Sequence, residues 1–216
     1  MLKIWKPQNV QATFAAAIVL MTLISVLATT PVSAETAIVA EQPTVDAPGK
    51  KKVEAQIVKL AEGSVLLPVP GDWKPVKPRS NIIRYEFSIP AVKGDETPGR
   101  MTITAAGGGV EANIARWAGQ FQTSAGKPLG DGAKKVEEKN VGGLKVHVID
   151  LTGDFQDSPR GPFGPKVSRP SYRMLAVIIP LKKGGTWFIK SYGPQATMKR
   201  AEKDFAAMVE GLKHLP

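Results

Sequence analysis

Segments that alternate apolar and polar residues, joined by glycine-rich turns, constrain the fold of this chain most strongly. Residues 83–89 read IRYEFSI, so the apolar side chains point one way and the polar ones the other. Side chains alternate between the two faces of a strand, so this segment predicts a β-strand with one buried face. Residues 101–105 alternate in the same way and predict its hairpin partner.

Adjacent glycines mark two further hairpins, which pair 135–141 with 144–151 and 172–179 with 186–192. The loop Gly142-Gly143 favours a primed hairpin turn, because such turns need positive φ at both positions. Residues 174–179 are apolar on both faces. They predict a central strand that is covered on both sides.

Two segments have the apolar period of a helix, 111–122 and 195–213. In the first, Trp117 belongs to the apolar stripe and is expected in the core, whereas Arg116 falls on the solvated side. The order of strands, helix, two hairpins and a final helix predicts an α+β fold. In this fold an antiparallel β-sheet has helices packed on it.

The N-terminus has the three parts of a secretory signal peptide. Lys3 and Lys6 precede an apolar run of about 15 residues, and Val-Ser-Ala at 32–34 is a small-x-small cleavage site. We therefore expect a signal peptide at 1–34 cleaved after Ala34, a flexible leader at 35–52 and a single domain at 53–216. Retention of the apolar run as a membrane anchor is the alternative. In the cleaved form no later segment reaches membrane-spanning length, so the mature chain is not expected to span a membrane.

The residue types that the chain lacks exclude several chemistries. It contains no cysteine and only two histidines, His147 and His214, so zinc-finger, iron–sulfur and thiol-nucleophile sites are excluded. The formal net charge of +10 falls to +8 when the lysines of the signal peptide are removed. Such a charge favours an anionic or acidic partner, and export argues against nucleic acid.

Four motifs in this chain resemble the PsbP-like superfamily, which includes the photosystem II protein PsbP and the nuclear import factor Mog. They are VLLPVPGDW (65–73), ITAAGGGVEANIARWAGQF (103–121), KVHVIDLTGDF (145–155) and YGP (192–194), the last directly before the final helix. The chain is similar to exported bacterial members over 55–212. The resemblance implies an α/β/α sandwich and no known catalytic chemistry. It does not imply photosynthesis or Ran binding.

Two short motifs resemble ligand-binding sequences, but a structural role is favoured for both. Gly107-Gly108-Gly109 precedes a helix, yet it has neither the GxGxxG spacing nor a following Gly-Lys-Ser/Thr, so a structural turn is favoured over a phosphate site. Asp150, Asp154 and Asp157 resemble a loose calcium loop. That loop lacks a terminal glutamate, so a strand end with solvated carboxylates is favoured.

The stretch from Gln156 to Ser171 is the strongest candidate for a contact site. It carries four prolines and predicts a long loop, which in a compact domain is either functional or mobile. Its basic residues surround one aromatic ring and suit an anionic or apolar partner surface. The predicted partner-binding residues are Arg160, Phe163, Lys166, Arg169 and the adjacent Arg173. A mobile connection with a solvated charge run explains the same residues equally well.

These observations predict an exported, non-catalytic binding or assembly module of the cell envelope. Its partner is an unknown protein or an anionic envelope component, and no cofactor, metal or catalytic residue is predicted. One alternative is a hydrolase or metal-assisted enzyme that uses carboxylates near Asp150 and Asp154. Another is a small-ligand carrier with a pocket between sheet and helix.

Overall fold

The computed structural model describes residues 53–159 and 164–215, and the predicted signal peptide and leader lie outside the described residues. The helices are α1 (Val110–Ala118) and α2 (Gln195–Glu210). The strands are β1 (Gln56–Leu60), β2 (Val65–Val69), β3 (Lys74–Val76), β4 (Ile83–Ile89), β5 (Gly99–Ala106), β6 (Phe121–Gln122), β7 (Lys134–Val141), β8 (Leu144–Asp157), β9 (Val167–Pro180), β10 (Thr186–Pro194) and β11 (Lys213–His214).

Eight strands form one antiparallel sheet in the order β3-β4-β5-β10-β9-β8. The outer edge of β8 carries two strands, β7 along its first half and β6 near its end. A separate sheet has the order β1-β2-β11. The antiparallel sheet predicted from the alternating segments is therefore confirmed.

One face of the large sheet packs against α2 and the three-stranded sheet, and we call it the α2 face. Alternate residues of β9 supply its centre, and Leu175, Val177 and Ile179 are buried there with Phe205 and Met208 of α2. The period of α2 explains this contact, because residues three and four apart lie on one side of a helix.

The opposite face packs against α1, and we call it the α1 face. Met174, Ala176 and Ile178 of β9 are buried on this side, so β9 is covered on both faces as its apolar sequence predicted. Trp117 of α1 meets Phe188 edge to face, with 5.9 Å between ring centroids. Its predicted core position is confirmed. The two helices thus lie on opposite faces of one sheet, which is the α/β/α sandwich that the family resemblance implied.

Both helices are shorter than their periodicity predicted. Phe121 leaves the first helical segment and pairs with Phe155 of β8, where the ring centroids are 5.0 Å apart. Lys213 and His214 similarly leave the second segment and pair with β2. In each case sheet hydrogen bonds replace a last helical turn. The primed turn is confirmed by Gly142 and Gly143, whose φ values are 56° and 80°.

No helix within residues 53–159 and 164–215 is long and apolar enough to cross a membrane.

Candidate functional site

The sequence predicted a loop at 156–171, at the end of the β8–β9 hairpin. The predicted extent of that loop is wrong. β8 runs to Asp157 and β9 starts at Val167. Only residues 158–166 connect the two strands, and of these 160–163 lie outside the described part. The contact residues predicted at Arg160 and Phe163 are among these four.

A β-bulge explains how proline enters this hairpin. Gly153 pairs with Tyr172 and Phe155 pairs with Arg169, so Pro170 and Ser171 together stand opposite Asp154. The backbone N–H of Ser171 donates to the Asp154 carboxylate at 3.0 Å, and Pro170 has no N–H that needs an acceptor. Proline is tolerated in strands at such bulges. Pro170 therefore does not break the hairpin, which is why the predicted loop was too long.

The bulge places Arg169 and Arg173 on opposite faces of the sheet. Residues four apart share a face in a regular strand, but the extra residue reverses this relation. Arg169 stands opposite Phe155, which is buried on the α1 face. Arg173 bonds instead to Glu202 of α2. The described residues of the predicted contact set therefore lie in two different places.

Arg173 is buried at the centre of an ion network that joins β8, β9 and α2. Its Nε and Nη2 donate to the two carboxylate oxygens of Asp150 at 2.9 and 2.7 Å. Its Nη1 donates to Glu202 Oε2 at 3.0 Å, and Lys199 donates to that oxygen at the same distance. These bonds, with Arg173 contributing most, lower the pKa of Glu202 to about 2. We call Asp150, Arg173, Lys199 and Glu202 the Arg173 network.

A cavity of about 760 Å³ opens beside this network, between α2 and the β7–β8–β9 part of the sheet. We call it the α2 cleft. Thr152 and Ser171 contribute hydroxyl groups to it, and Lys135 contributes an amine. A second cavity of about 220 Å³ adjoins it and adds apolar groups from Leu175, Phe205 and Val209. The cleft is large enough for a small ligand, since ligand sites in proteins span roughly 300–1,000 Å³.

The two carboxylates of the enzyme alternative have structural partners. Both oxygens of Asp150 bond to Arg173, and Asp154 bonds to the bulge. Asp150 lines the α2 cleft, whereas Asp154 is not among its lining residues. Within the described part of the chain, no group of three or more His, Cys, Asp or Glu residues is placed to hold a metal ion.

The glycines before α1 form a structural turn, as predicted. Gly108 has a φ of 102°, and Gly109 precedes the first residue of α1. The side-chain amide of Asn113 donates to the Gly109 carbonyl at 2.9 Å. This contact ties the turn to the helix.

The described residues 156–159 and 164–169 form what we call the hairpin end. Lys166, Val167 and Ser168 are exposed there. Arg169 lies 3.4 Å from Asp157, and Gln156 donates to Ser168 at 3.1 Å. β10 pairs with β9 only as far as Tyr172, so 167–171 extend past its last ladder pair. The hairpin end thus presents basic and apolar groups beyond the body of the sheet.

The sequence analysis missed Lys190, which lies on the α1 face among aromatic rings. Its Nζ donates to Gln120 Oε1 at 2.8 Å and lies 5.0 and 5.4 Å from the ring centroids of Tyr192 and Phe155. Burial, reinforced by Arg116 and then Arg100, lowers the pKa of Lys190 to about 7. A signal was present, because Lys190 alternates with Phe188 and Tyr192 on the inward side of a predicted strand.

A buried carboxylate two strands away from Lys190 is paired with another cation, since Glu86 stands opposite Thr102 and Thr102 stands opposite Lys190. Glu86 is 3% exposed and accepts two bonds from Arg100, at 2.7 and 3.0 Å. Arg100 also donates to the Tyr192 hydroxyl. Tyr192 therefore contacts two cations, Arg100 through its hydroxyl group and Lys190 through its ring.

Comparison with solved structures finds chains of similar fold. LpqN of Mycobacterium tuberculosis, described as involved in cell envelope biogenesis, is 12% identical with a TM-score of 0.44, over 76% of this chain and 91% of LpqN. The cyanobacterial PsbP (CyanoP) of Synechocystis sp. PCC 6803 is 9% identical with a TM-score of 0.46, over 80% and 99% of the two chains.

PA94 of Pseudomonas aeruginosa, described as a putative regulator of unknown function, is 15% identical with a TM-score of 0.41, over 76% and 99% of the two chains. No protein-family model and no curated protein matches this sequence. CyanoP is a PsbP protein, and PsbP belongs to the superfamily that the sequence motifs resemble. At these identities the likeness is one of fold alone.

Proposed function

We propose that this protein is an exported, non-catalytic binding or assembly module of the cell envelope. It contacts an anionic or protein partner through the hairpin end, with Arg160 and Phe163 of the connecting segment taking part. The signal-peptide pattern at 1–34 supports export, and the excess of basic residues supports an anionic partner.

The extension of β9 past β10 is the observation that carries this proposal. It leaves Lys166, Val167 and Ser168 exposed, so a partner reaches charged, apolar and hydroxyl groups in one place. Pro170 lies in the same segment and cannot donate to a partner strand, which favours side-chain contacts over strand addition. Arg173 is 8% exposed and committed to its network, so we assign it a structural role rather than a contact.

Replacing Arg160, Lys166 and Arg169 together by alanine should reduce capture of the partner from the envelope fraction at least about tenfold, as expected for the loss of three charged contacts. The measurement is recovery of cross-linked partner on the tagged mature protein, at low salt and at high salt. Salt should weaken capture by the wild type, because exposed charges are screened.

The matched control replaces Lys59, Lys182 and Lys183, which also carry three positive charges and are exposed. Lys182 and Lys183 follow the far end of β9, so they lie away from the hairpin end. Capture equal to wild type is expected for this control. Unaltered capture by the first variant, or an equal loss in both, would refute the contact surface.

The ligand-carrier alternative has one observation in its favour, the α2 cleft with its adjoining apolar cavity. One observation also favours the enzyme alternative, because Asp150 lines the same cleft. Both carboxylate oxygens of Asp150 accept hydrogen bonds from Arg173, so neither oxygen is available to act as a base. The binding module therefore has the stronger support.

A further inference from the structure

The α2 cleft is lined by equal numbers of basic and acidic side chains. They are Lys135, Arg173 and Lys199, and Asp95, Asp150 and Glu202. The side chains of Lys199 and Glu202 are 74% and 41% exposed, so a ligand reaches them from solvent. Because the charges balance, the cleft favours neither an anion nor a cation. A ligand that carries one charge of each sign complements it better.

Both signs of charge in the cleft keep unused hydrogen-bonding capacity. Among the described residues, Lys135 has no ion-pair or hydrogen-bond partner, and its ammonium group has three donors. Asp95 uses Oδ2, which accepts from the N–H and the hydroxyl group of Thr197 at 2.9 and 2.6 Å. Glu202 uses Oε2. In the part of the chain that the structure describes, Asp95 Oδ1 and Glu202 Oε1 are therefore left without a donor.

The unused donors and acceptors lie on different sides of the cleft. Lys135 stands opposite Asp150 in the ladder between β7 and β8, so it lies on the sheet side. Glu202 belongs to α2, and Asp95 bonds to the first turn of that helix. A dipolar ligand therefore places its anionic group toward the sheet and its cationic group toward the helix.

The adjoining cavity of about 220 Å³ offers apolar contacts to the same ligand. It shares Lys135 and Glu202 with the α2 cleft, so the two spaces are adjacent. Leu175, Phe205 and Val209 line the adjoining cavity alone, and all three are buried. A ligand uses both spaces if an apolar side chain projects from its charged groups.

We propose that the α2 cleft binds an α-amino acid zwitterion with an apolar side chain, as a free amino acid or as a short peptide. Its carboxylate bonds to Lys135, its ammonium group bonds to Glu202 and Asp95, and its side chain occupies the adjoining cavity. Charge-assisted hydrogen bonds are about twice as strong as neutral ones, which favours this ligand over a hydroxylated one. The cleft shares no residue with the hairpin end, so this proposal goes beyond the contact surface, and either can fail without the other.

Calorimetric titration of the purified protein with L-leucine and with leucyl-leucine tests the site. The tighter binder of the two distinguishes a free amino acid from a peptide. Three partial ligands are the controls: 4-methylpentanoate lacks the ammonium group, 3-methylbutylamine lacks the carboxylate, and glycine lacks the side chain. Each should bind at least about tenfold more weakly than leucine. This comparison uses the wild-type protein alone, so it does not depend on the folding of a variant.

Matched variants locate the site. Lys135→Gln should weaken leucine binding at least about tenfold, and Lys134→Gln should bind as the wild type does, because Lys134 is exposed on the same strand and lines neither cavity. Ala206→Phe should fill the adjoining cavity and lower the affinity for leucine to that for glycine. Ala207→Phe, at an exposed position outside both cavities, should leave it unchanged.

Several results would overturn the proposal. They are absence of binding by both leucine and leucyl-leucine, equal affinity for leucine and any partial ligand, equal effects of Lys135→Gln and Lys134→Gln, and equal effects of Ala206→Phe and Ala207→Phe.

Discussion

Replacing Arg173 by methionine should lower the free energy of unfolding by about 3 kcal/mol. The guanidinium group is almost fully buried and bonds to Asp150 and Glu202, so its removal leaves Asp150 without a counter-ion and leaves Glu202 with Lys199 alone. Breaking a buried ion pair typically costs about 3–5 kcal/mol, and the partial exposure of these carboxylates places the expected loss at the lower end. Denaturant unfolding at neutral pH measures it.

The matched control is Lys199→Met, which removes a cation from the same network. Lys199 is 74% exposed in its side chain and bonds to Glu202 alone, so we expect a loss of about 0.5 kcal/mol or less. Adding Asp150→Leu to the Arg173 variant should restore part of the lost stability, because one unpaired carboxylate disappears. Equal losses for Arg173→Met and Lys199→Met would contradict a central role for Arg173.

Replacing Lys190 by methionine should remove a rise in stability with pH. The unfolded chain holds the lysine proton up to its ordinary pKa of 10.5, whereas the folded chain releases it near pH 7. Between these values the unfolded state binds more protons, so the free energy of unfolding of the wild type increases with pH. The full effect from pH 7 to pH 9.5 is about 3.4 kcal/mol, and partial solvent access reduces the expected value to about 2 kcal/mol.

The quantity to compare is the difference in free energy of unfolding between wild type and Lys190→Met, measured in denaturant at several pH values. The stability of the variant relative to the wild type should be highest near pH 7. As the pH rises, the free energy of unfolding of the wild type should increase relative to that of the variant. Lys183→Met serves as the control, since Lys183 lies at an exposed turn. A constant difference for the Lys190 variant would show that Lys190 is charged throughout.

Local sequence patterns predicted most of the sheet and both helices. Residues 83–89 form β4 as predicted, and Gly142-Gly143 forms the predicted turn. These predictions work because alternation, helical period and positive φ are properties of neighbouring residues. The ends of the helices were less predictable, because Phe121 pairs with Phe155, which lies far along the chain.

The candidate sites depend on contacts that no local pattern encodes. Proline at 170 predicts a loop, but the carboxylate of Asp154 satisfies the bulge and lets β9 continue. That bulge decides on which face Arg169 lies. The environment of Lys190 is likewise built by Gln120 and Phe155 from distant segments. The sequence therefore showed which residues are charged, but not which of them are paired, buried or accessible to a partner.

Site-specific photo-crosslinking in the cell envelope tests the proposed location and the proposed contact surface most directly. A photoreactive side chain at Ser168 lies at the hairpin end, and one at Lys183 lies beyond the opposite end of β9. We expect a discrete cross-linked species from position 168, reduced by high salt, and none from position 183. Equal products from both positions, or none from position 168, would contradict contact through the hairpin end.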